Sequence, residues 1–221
     1  PFKHLAVSGK DHLITGESNG KIHLLDRRGK NRVKVKRRVT PSTNNHLQTF
    51  KSSEEAFTGV YITDKDGTIY RISLNGDVNP MELGKFSPEH QFFVADLDKD
   101  GGPEFIFTDL NVLQVFDYKK QKIAEQRLEP SATKPFLIDL GEGGFGIGYC
   151  YKDSEQLVLF NSTGSMVEGF PLSGSSTFSL LKTEKGVNVV SSNSKVGLIY
   201  SVYSLGLKPL FLWLRRPNST L

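Results

Sequence analysis

Two stretches of the sequence decide the fold: residues 12–30 read HLITGESNGKIHLLDRRGK, and residues 59–77 read GVYITDKDGTIYRISLNGD. Each contains an apolar segment, a polar turn, a second apolar segment and a second turn. The pairs Asn19-Gly20 and Asp66-Gly67 predict tight two-residue hairpin turns, because Asn or Asp followed by Gly supplies the positive φ that such turns require. Both stretches therefore predict an antiparallel strand pair.

Three further copies of this unit follow along the chain. They begin at Glu104, Gly148 and Asn188, and aligned positions in the five copies lie 47, 44, 44 and 41 residues apart. A period of about 40 to 50 residues with three or four short strands is typical of one blade of a β-propeller. The sequence thus predicts an all-β protein, either a β-propeller of about five blades or part of a larger one, with antiparallel meanders as blades.

A β-sandwich or a stacked array of hairpins stays open, because regular strand spacing alone does not exclude either. We expect one propeller-like domain over residues 1–221. Its approximate repeats are 1–44, 45–88, 89–131, 132–174 and 175–221. Residues 207–221 depart from the repeat pattern, and the sequence assigns them no role.

The composition is that of an ordinary globular protein, with 24% charged residues and a formal net charge of +4. No apolar run is long enough for a helix that spans a membrane. The single cysteine, Cys150, lies in the apolar run Phe145 to Tyr151, so we expect a buried structural thiol.

A strongly basic segment interrupts this balance. Residues 27–38 carry eight positive charges and no acid. Val33 and Val35 alternate with charged residues, which favours a half-buried strand at a sheet edge, where positive charge also prevents aggregation. The alternative is a polyanion-binding patch. That patch would comprise Arg32, Lys34, Lys36 and Arg38.

The loop before the third copy is the one whose residues could bind a metal ion. Asp96, Asp98 and Asp100, followed by Gly101, form a D-x-D-x-D-G pattern. Carboxylates at alternate positions repel one another unless a hard cation such as Ca²⁺ neutralises them. An EF-hand is excluded, because its twelfth loop position requires a bidentate Glu and is Phe107 here.

The corresponding loop of the next copy keeps the turn without the ligands. Asp139 matches Asp96, whereas Gly141 and Gly143 stand at the positions of Asp98 and Asp100. The acidic residues are therefore not required for the turn itself. Two interpretations stay open, a calcium site and a solvated turn rich in Asp and Gly.

Three segments of the sequence resemble repeats of known propeller families. The segments GKIHLLDRRGK, residues 20–30, and GTIYRISLNGD, residues 67–77, resemble the outer strands of quinoprotein-like (PQQ-type) propeller repeats. The segment FFVADLDKDGGPEFIF, residues 92–107, is similar to the FG-GAP and VCBS repeats of integrin-type propellers. The second resemblance implies a calcium loop that is closed by an acid at its ninth position, here Glu104 instead of the usual Asp.

The candidate metal ligands are thus Asp96, Asp98, Asp100 and Glu104, and Ca²⁺ is the only cofactor expected. No catalytic constellation is recognisable in the sequence, so the leading hypothesis is a non-enzymatic binding or assembly scaffold with a protein or glycan ligand. The resemblances imply a bacterial cell-envelope or extracellular location. One alternative is a propeller enzyme, acting on glycans or as a quinone-dependent dehydrogenase. A second is a polyanion binder that acts through residues 27–38, although nucleic acid is not an expected partner.

Overall fold

The regular secondary structure of the described residues consists almost entirely of short antiparallel strands. The computed structural model describes residues 2–42, 44–183, 186–193 and 199–204. Within these residues, nineteen strands form five sheets, and the one helical element is a short 3₁₀ turn, Gly141–Gly143. In every sheet, strands that are consecutive in sequence are neighbours, so each sheet is a simple meander.

The strands of each sheet come from one continuous stretch of the chain. The first sheet contains β1 (Lys3–Val7), β2 (Lys10–Gly16), β3 (Ile22–Leu25) and β4 (Asn31–Lys34). The second contains β5 (Gln48–Phe50), β6 (Gly59–Thr63), β7 (Ile69–Ile72) and β8 (Val78–Met81). The third contains β9 (Gln91–Ala95), β10 (Glu104–Asp109), β11 (Val112–Phe116) and β12 (Lys122–Arg127). The fourth contains β13 (Phe136–Asp139), β14 (Phe145–Tyr151), β15 (Gln156–Phe160) and β16 (Leu172–Ser173). The fifth contains β17 (Ser179–Thr183), β18 (Gly186–Asn193) and β19 (Ile199–Ser204).

The chain divides into two compact units, Pro1–Arg127 with the first three sheets and Leu128–Leu221 with the other two. The all-β prediction is confirmed, and the single-domain assignment over 1–221 stays a prediction. Among the described residues, no helix has the length and apolar character needed to cross a membrane. Residues 207–221 lie outside the described part of the chain.

The first unit contains two apolar clusters. Aliphatic side chains of the first two sheets, including Leu24 and Val60, form one. Aromatic side chains of the second and third sheets dominate the other, in which Phe86 stacks on Phe107 with ring centroids 3.9 Å apart. The second unit has its own core around Cys150. Within each unit, apolar residues of the strands thus pack between neighbouring sheets.

The hairpin turns differ from the predicted two-residue form. The Gly20 N–H donates to the Glu17 carbonyl (3.0 Å), and the Glu17 N–H donates to the Lys21 carbonyl (2.8 Å), which closes a three-residue loop. Positive φ occurs at Gly20 (82°) and not at Asn19. The two-residue prediction was therefore wrong. A type I turn followed by one left-handed residue uses the same Asn-Gly pair but confines the unusual conformation to glycine.

A carboxylate or amide side chain at the start of each of several turns holds the backbone. Asp64 Oδ1 accepts hydrogen bonds from the Asp66 and Thr68 N–H groups, both at 3.0 Å. Asp26 and Asn161 do the same in the first and fourth sheets. These side chains satisfy turn N–H groups that the sheet ladder leaves unpaired.

Candidate metal centre

The acidic loop joins the first two strands of the third sheet. It begins after Ala95, the last residue of β9, and ends at Glu104, the first residue of β10, which pairs with Ala95 across the ladder. Oxygens from Asp96, Asp98 and Glu104 all lie within 4.8 Å of one another. Because Ca²⁺ binds oxygen at about 2.3–2.6 Å, two ligands of one ion lie up to about 5 Å apart. The three carboxylates therefore have the spacing of a shared cation.

Burial makes this cluster unlike an ordinary solvated turn. The Glu104 side chain is only 2% exposed, and its Oε2 accepts a hydrogen bond from the Leu97 N–H at 2.5 Å. Asp96 is half-buried, and its Oδ1 is shielded from solvent with no hydrogen-bond partner among the described residues. Asp98 is exposed and lies at the open side of the cluster. A buried carboxylate oxygen without a partner has a high free-energy cost unless a cation neutralises it.

The pKa values of these groups reflect their burial and the negative charges of their neighbours. Burial raises the pKa of Glu104 from 4.5 to about 8, and the negative charges of Asp98, Asp100 and Asp96 act in the same direction. The hydrogen bond from Leu97 opposes this rise. Burial also raises the pKa of Asp96, although the Gly101 N–H donates to its Oδ2 at 3.1 Å. The site without a cation thus favours protonated carboxyl groups.

Asp100, the remaining predicted ligand, is not part of the cluster. Its Oδ1 accepts a hydrogen bond from the Gly102 N–H at 2.7 Å, and its own N–H donates to Asp98 Oδ1 at 3.1 Å. The structure therefore brings three of the four predicted ligands together. Asp100 instead shapes the loop that presents them.

The donor set fits a hard cation. The clustered ligands are carboxylates alone, without the imidazole or thiolate groups that favour zinc. Calcium accepts six to eight oxygen ligands in irregular geometry, so backbone oxygens or water can complete three carboxylates. Asp96 and Glu104 would supply the shielded oxygens, and Asp98 the exposed one.

The second sheet contributes a support that the sequence does not reveal. The Ser52 hydroxyl donates to the Gly101 carbonyl at 2.6 Å and accepts from the Glu54 N–H at 3.0 Å. Ser52 also lines an open cavity of about 710 Å³, together with polar side chains such as Arg71 and Asn79. One hydroxyl therefore connects the wall of this cavity to the acidic loop. Ser52 and Gly101 are 49 residues apart, and no local motif marks the contact.

The fourth sheet has a matching turn, in which Gly141 and Gly143 stand at the positions of Asp98 and Asp100. Asp139 Oδ1 accepts a hydrogen bond from the Gly141 N–H at 2.8 Å, which resembles the bond between Asp98 and Asp100. Gly141–Gly143 forms a 3₁₀ turn where the third sheet has its acidic residues. This turn is an internal reference for the acidic loop.

The basic segment lies at the edge of the first sheet. β4 is the last strand in the sheet order, and Val33 and Val35 pack against the core, so the predicted half-buried edge strand is confirmed, although it ends at Lys34. The four residues predicted to bind a polyanion are exposed. They are Arg32, Lys34, Lys36 and Arg38. Polyanion binding by these residues stays a prediction.

Neither a protein-family model nor a curated protein sequence matches this chain. Solved structures do resemble it. BBS1N, in a complex with ARL6DN, superposes with a TM-score of 0.57 at 14% identity over 86% of this chain and 57% of that one. The chain thus spans little more than half of that structure. Virginiamycin B lyase from Staphylococcus aureus gives a TM-score of 0.53 at 13% identity over 99% of this chain and 71% of the lyase. A streptogramin B lyase gives 0.51 at 16% identity over 94% and 69%, respectively. At such identities the likeness shows the fold alone, and that fold is a β-propeller.

Proposed function

We propose that this chain is a non-enzymatic β-propeller, a binding or assembly scaffold whose third sheet is stabilised by Ca²⁺. Asp96, Asp98 and Glu104 would hold the ion, in a loop of the FG-GAP type. The observation that carries the proposal is the convergence of their oxygens within 4.8 Å around the buried Glu104. Burial, together with the nearby negative charges, raises the pKa of Glu104 to about 8, and a cation there would offset both effects.

The acidic loop supports a structural role for the ion. Glu104 begins β10, a central strand of the third sheet, and the loop also contacts Ser52 of the preceding repeat. A cation bound here would fix the β9–β10 connection and the contact between two sheets of the first unit. Binding only to the folded state raises stability by mass action.

One observation supports a binding role. The open polar cavity beside Ser52, about 710 Å³ in volume, has the size of a small-ligand site. The structural neighbours include BBS1N, seen in a complex with ARL6DN, and two lyases. Because this fold hosts unrelated functions, these neighbours do not distinguish a binding role from the enzyme alternative.

We further propose a location at the cell envelope or outside the cell. Three protein carboxylates, one of them exposed, form a modest ligand set. Sites of this kind in extracellular modules bind calcium with Kd on the order of 10⁻⁴–10⁻³ M. Such a site would be filled where calcium is abundant.

The test is thermal unfolding in excess calcium and in EDTA, with wild type, Asp98→Ala and Asp139→Ala. Both variants remove an Asp side chain that accepts a bond from the N–H two residues later. Calcium should raise the Tm of wild type and of Asp139→Ala but not that of Asp98→Ala. Equal Tm values for wild type in calcium and in EDTA would contradict the proposal.

A further inference from the structure

The first sheet carries a groove of about 520 Å³ that is independent of the acidic loop. Its lining residues come from the start of β3, with Lys21 before it, and from residues 31–38. Five cationic side chains line it, and no Asp or Glu is among the lining residues. These cations are Lys21, Lys34, Lys36, Arg37 and Arg38. The groove therefore concentrates positive charge in a concave surface, where a ligand meets several cations at once.

Part of this charge has no acidic partner. Lys34 and Arg38 are exposed, and within the described residues neither has a carboxylate within salt-bridge distance. Lys36, by contrast, pairs with Asp77, and Lys21 lies 3.5 Å from Glu17. The two unpaired cations are thus the groups that an incoming anion would meet first.

Apolar side chains lie between the cations. Ile22 is buried, and Val33 and Val35 are half-buried against the core of the first unit. Because successive side chains of a strand point to opposite faces, Lys34 points away from the side on which Val33 and Val35 pack against the core. A strand added beside β4 would therefore meet cations on one face and valines on the other, which is more than a phosphate group alone would need.

The groove also borders an unpaired strand edge. β4 pairs with β3 on one side and is the last strand of its sheet among the described residues. Just beyond β4, the Lys36 N–H donates to the Gly76 carbonyl of the second sheet (3.0 Å), so the free edge is confined to β4 itself. An edge strand presents backbone N–H and C=O groups that an extended peptide can pair with, and side-chain pockets then select the peptide sequence. An aromatic platform for stacked bases is lacking among the described lining residues, apart from the His23 ring, which bonds Glu17 (2.6 Å) and Asn31 (3.2 Å).

We propose that this groove binds an extended acidic peptide from a partner protein, in which acidic and apolar side chains alternate. The peptide would pair with the outer edge of β4. Its carboxylates would meet Lys34 and Arg38, and its apolar side chains would contact Val33 and Val35. The proposal gives the basic segment a ligand of defined chemistry and does not depend on calcium.

The test uses fluorescence anisotropy with a fluorescein-labelled peptide in which glutamate and valine alternate. The full chain is compared with the double variant Lys34→Glu/Arg38→Glu and with the control Lys85→Glu/Lys152→Glu. All four positions are exposed, so both variants change the net charge equally without altering the core. Tm measurements verify that each variant is folded.

We expect the groove variant to bind the alternating peptide at least about tenfold more weakly, because charge reversal replaces attraction with repulsion. The control should keep the wild-type affinity, and a peptide with its glutamates and valines in separate blocks should bind more weakly. Equal losses in both variants, or no binding by wild type at low salt, would overturn the proposal. Tighter groove-dependent binding of a heparin fragment or an oligonucleotide would overturn it too, in favour of a polyanion site.

Discussion

The buried carboxylate of Glu104 accepts a hydrogen bond from the backbone N–H of Leu97 at 2.5 Å. Leu97 is fully buried between two of the acidic residues, Asp96 and Asp98. The bond therefore directs the Glu104 side chain towards the acidic loop and holds one of its carboxylate oxygens close to both aspartates. Many turns are rich in Asp and Gly, and the inward-facing Glu is what distinguishes this one.

This arrangement predicts a specific pH dependence of stability in EDTA. The pKa of Glu104 is raised to about 8 in the folded state from 4.5, so the folded state holds the proton more tightly than the unfolded state. The contribution of Glu104 is therefore fully favourable below about pH 4.5 and is lost as pH rises towards about 8. Glu104→Gln removes the titration and should be more stable than wild type at high pH, by a few kilocalories per mole.

The measurement is urea unfolding of wild type and Glu104→Gln in EDTA across this pH range. The difference between the two proteins cancels the effects of other acids, such as Asp11 and Glu125, whose pKa values are lowered. A difference that stays constant with pH would show that Glu104 does not titrate with a raised pKa.

Asp96 and Asp100 should respond differently to neutralisation. Asp96 contributes an oxygen to the cluster, whereas Asp100 bonds the Gly102 N–H. Asp96→Asn should therefore abolish most of the stabilisation by calcium, and Asp100→Asn should keep most of it, because an amide oxygen can still accept the loop bond. The calcium-induced change in Tm gives the comparison. A larger calcium-induced change in Tm for Asp96→Asn than for Asp100→Asn would mean that the ion lies on the outer side of the loop.

Ser52 should affect the acidic loop from the neighbouring sheet. Ser52→Ala removes the donor to the Gly101 carbonyl, with an expected loss of ~1 kcal/mol in unfolding free energy and weaker calcium binding. Ser53→Ala is the matched control, because Ser53 is the adjacent exposed serine. Chemical unfolding and calcium titration of both variants measure the two effects. Identical stability and calcium binding of the two variants would show that Ser52 does not support the acidic loop.

Cys150 should be unreactive in the folded protein. Its side chain is 0% exposed, its thiol lies 3.7 Å from the Gly174 carbonyl, and burial raises its pKa. The thiolate that reacts with disulfide reagents is therefore both scarce and inaccessible. Ellman's reagent should modify Cys150 only after addition of denaturant. Rapid labelling under native conditions would show that the core of the fourth sheet opens readily.

The repeat pattern predicts the sheets well because strand alternation and turn residues are local signals. Val33 and Val35 predict a half-buried strand, and both pack on the core. The Asn19-Gly20 pair alone does not determine the turn type, because the backbone of Glu17 closes the loop. An Asp or Asn three residues before the turn glycine, as at Asp64, is a signal that sequence reasoning could have used.

The acidic loop was predictable in outline but not in detail. The D-x-D-x-D-G pattern identifies the residues, and the resemblance adds Glu104. Spacing alone cannot tell that Asp100 leaves the cluster, because that depends on the turn made by Gly101 and Gly102. The Ser52 contact was unpredictable, since it depends on how two sheets pack.

Calorimetric titration measures whether Asp96, Asp98 and Glu104 bind one calcium ion. At pH of about 8.5, above the pKa of Glu104, wild type should bind one Ca²⁺ with Kd on the order of 10⁻⁴–10⁻³ M. Glu104→Gln should bind far more weakly, although it stays folded. An absence of binding heat in wild type at millimolar calcium, or full binding by Glu104→Gln, would contradict the account.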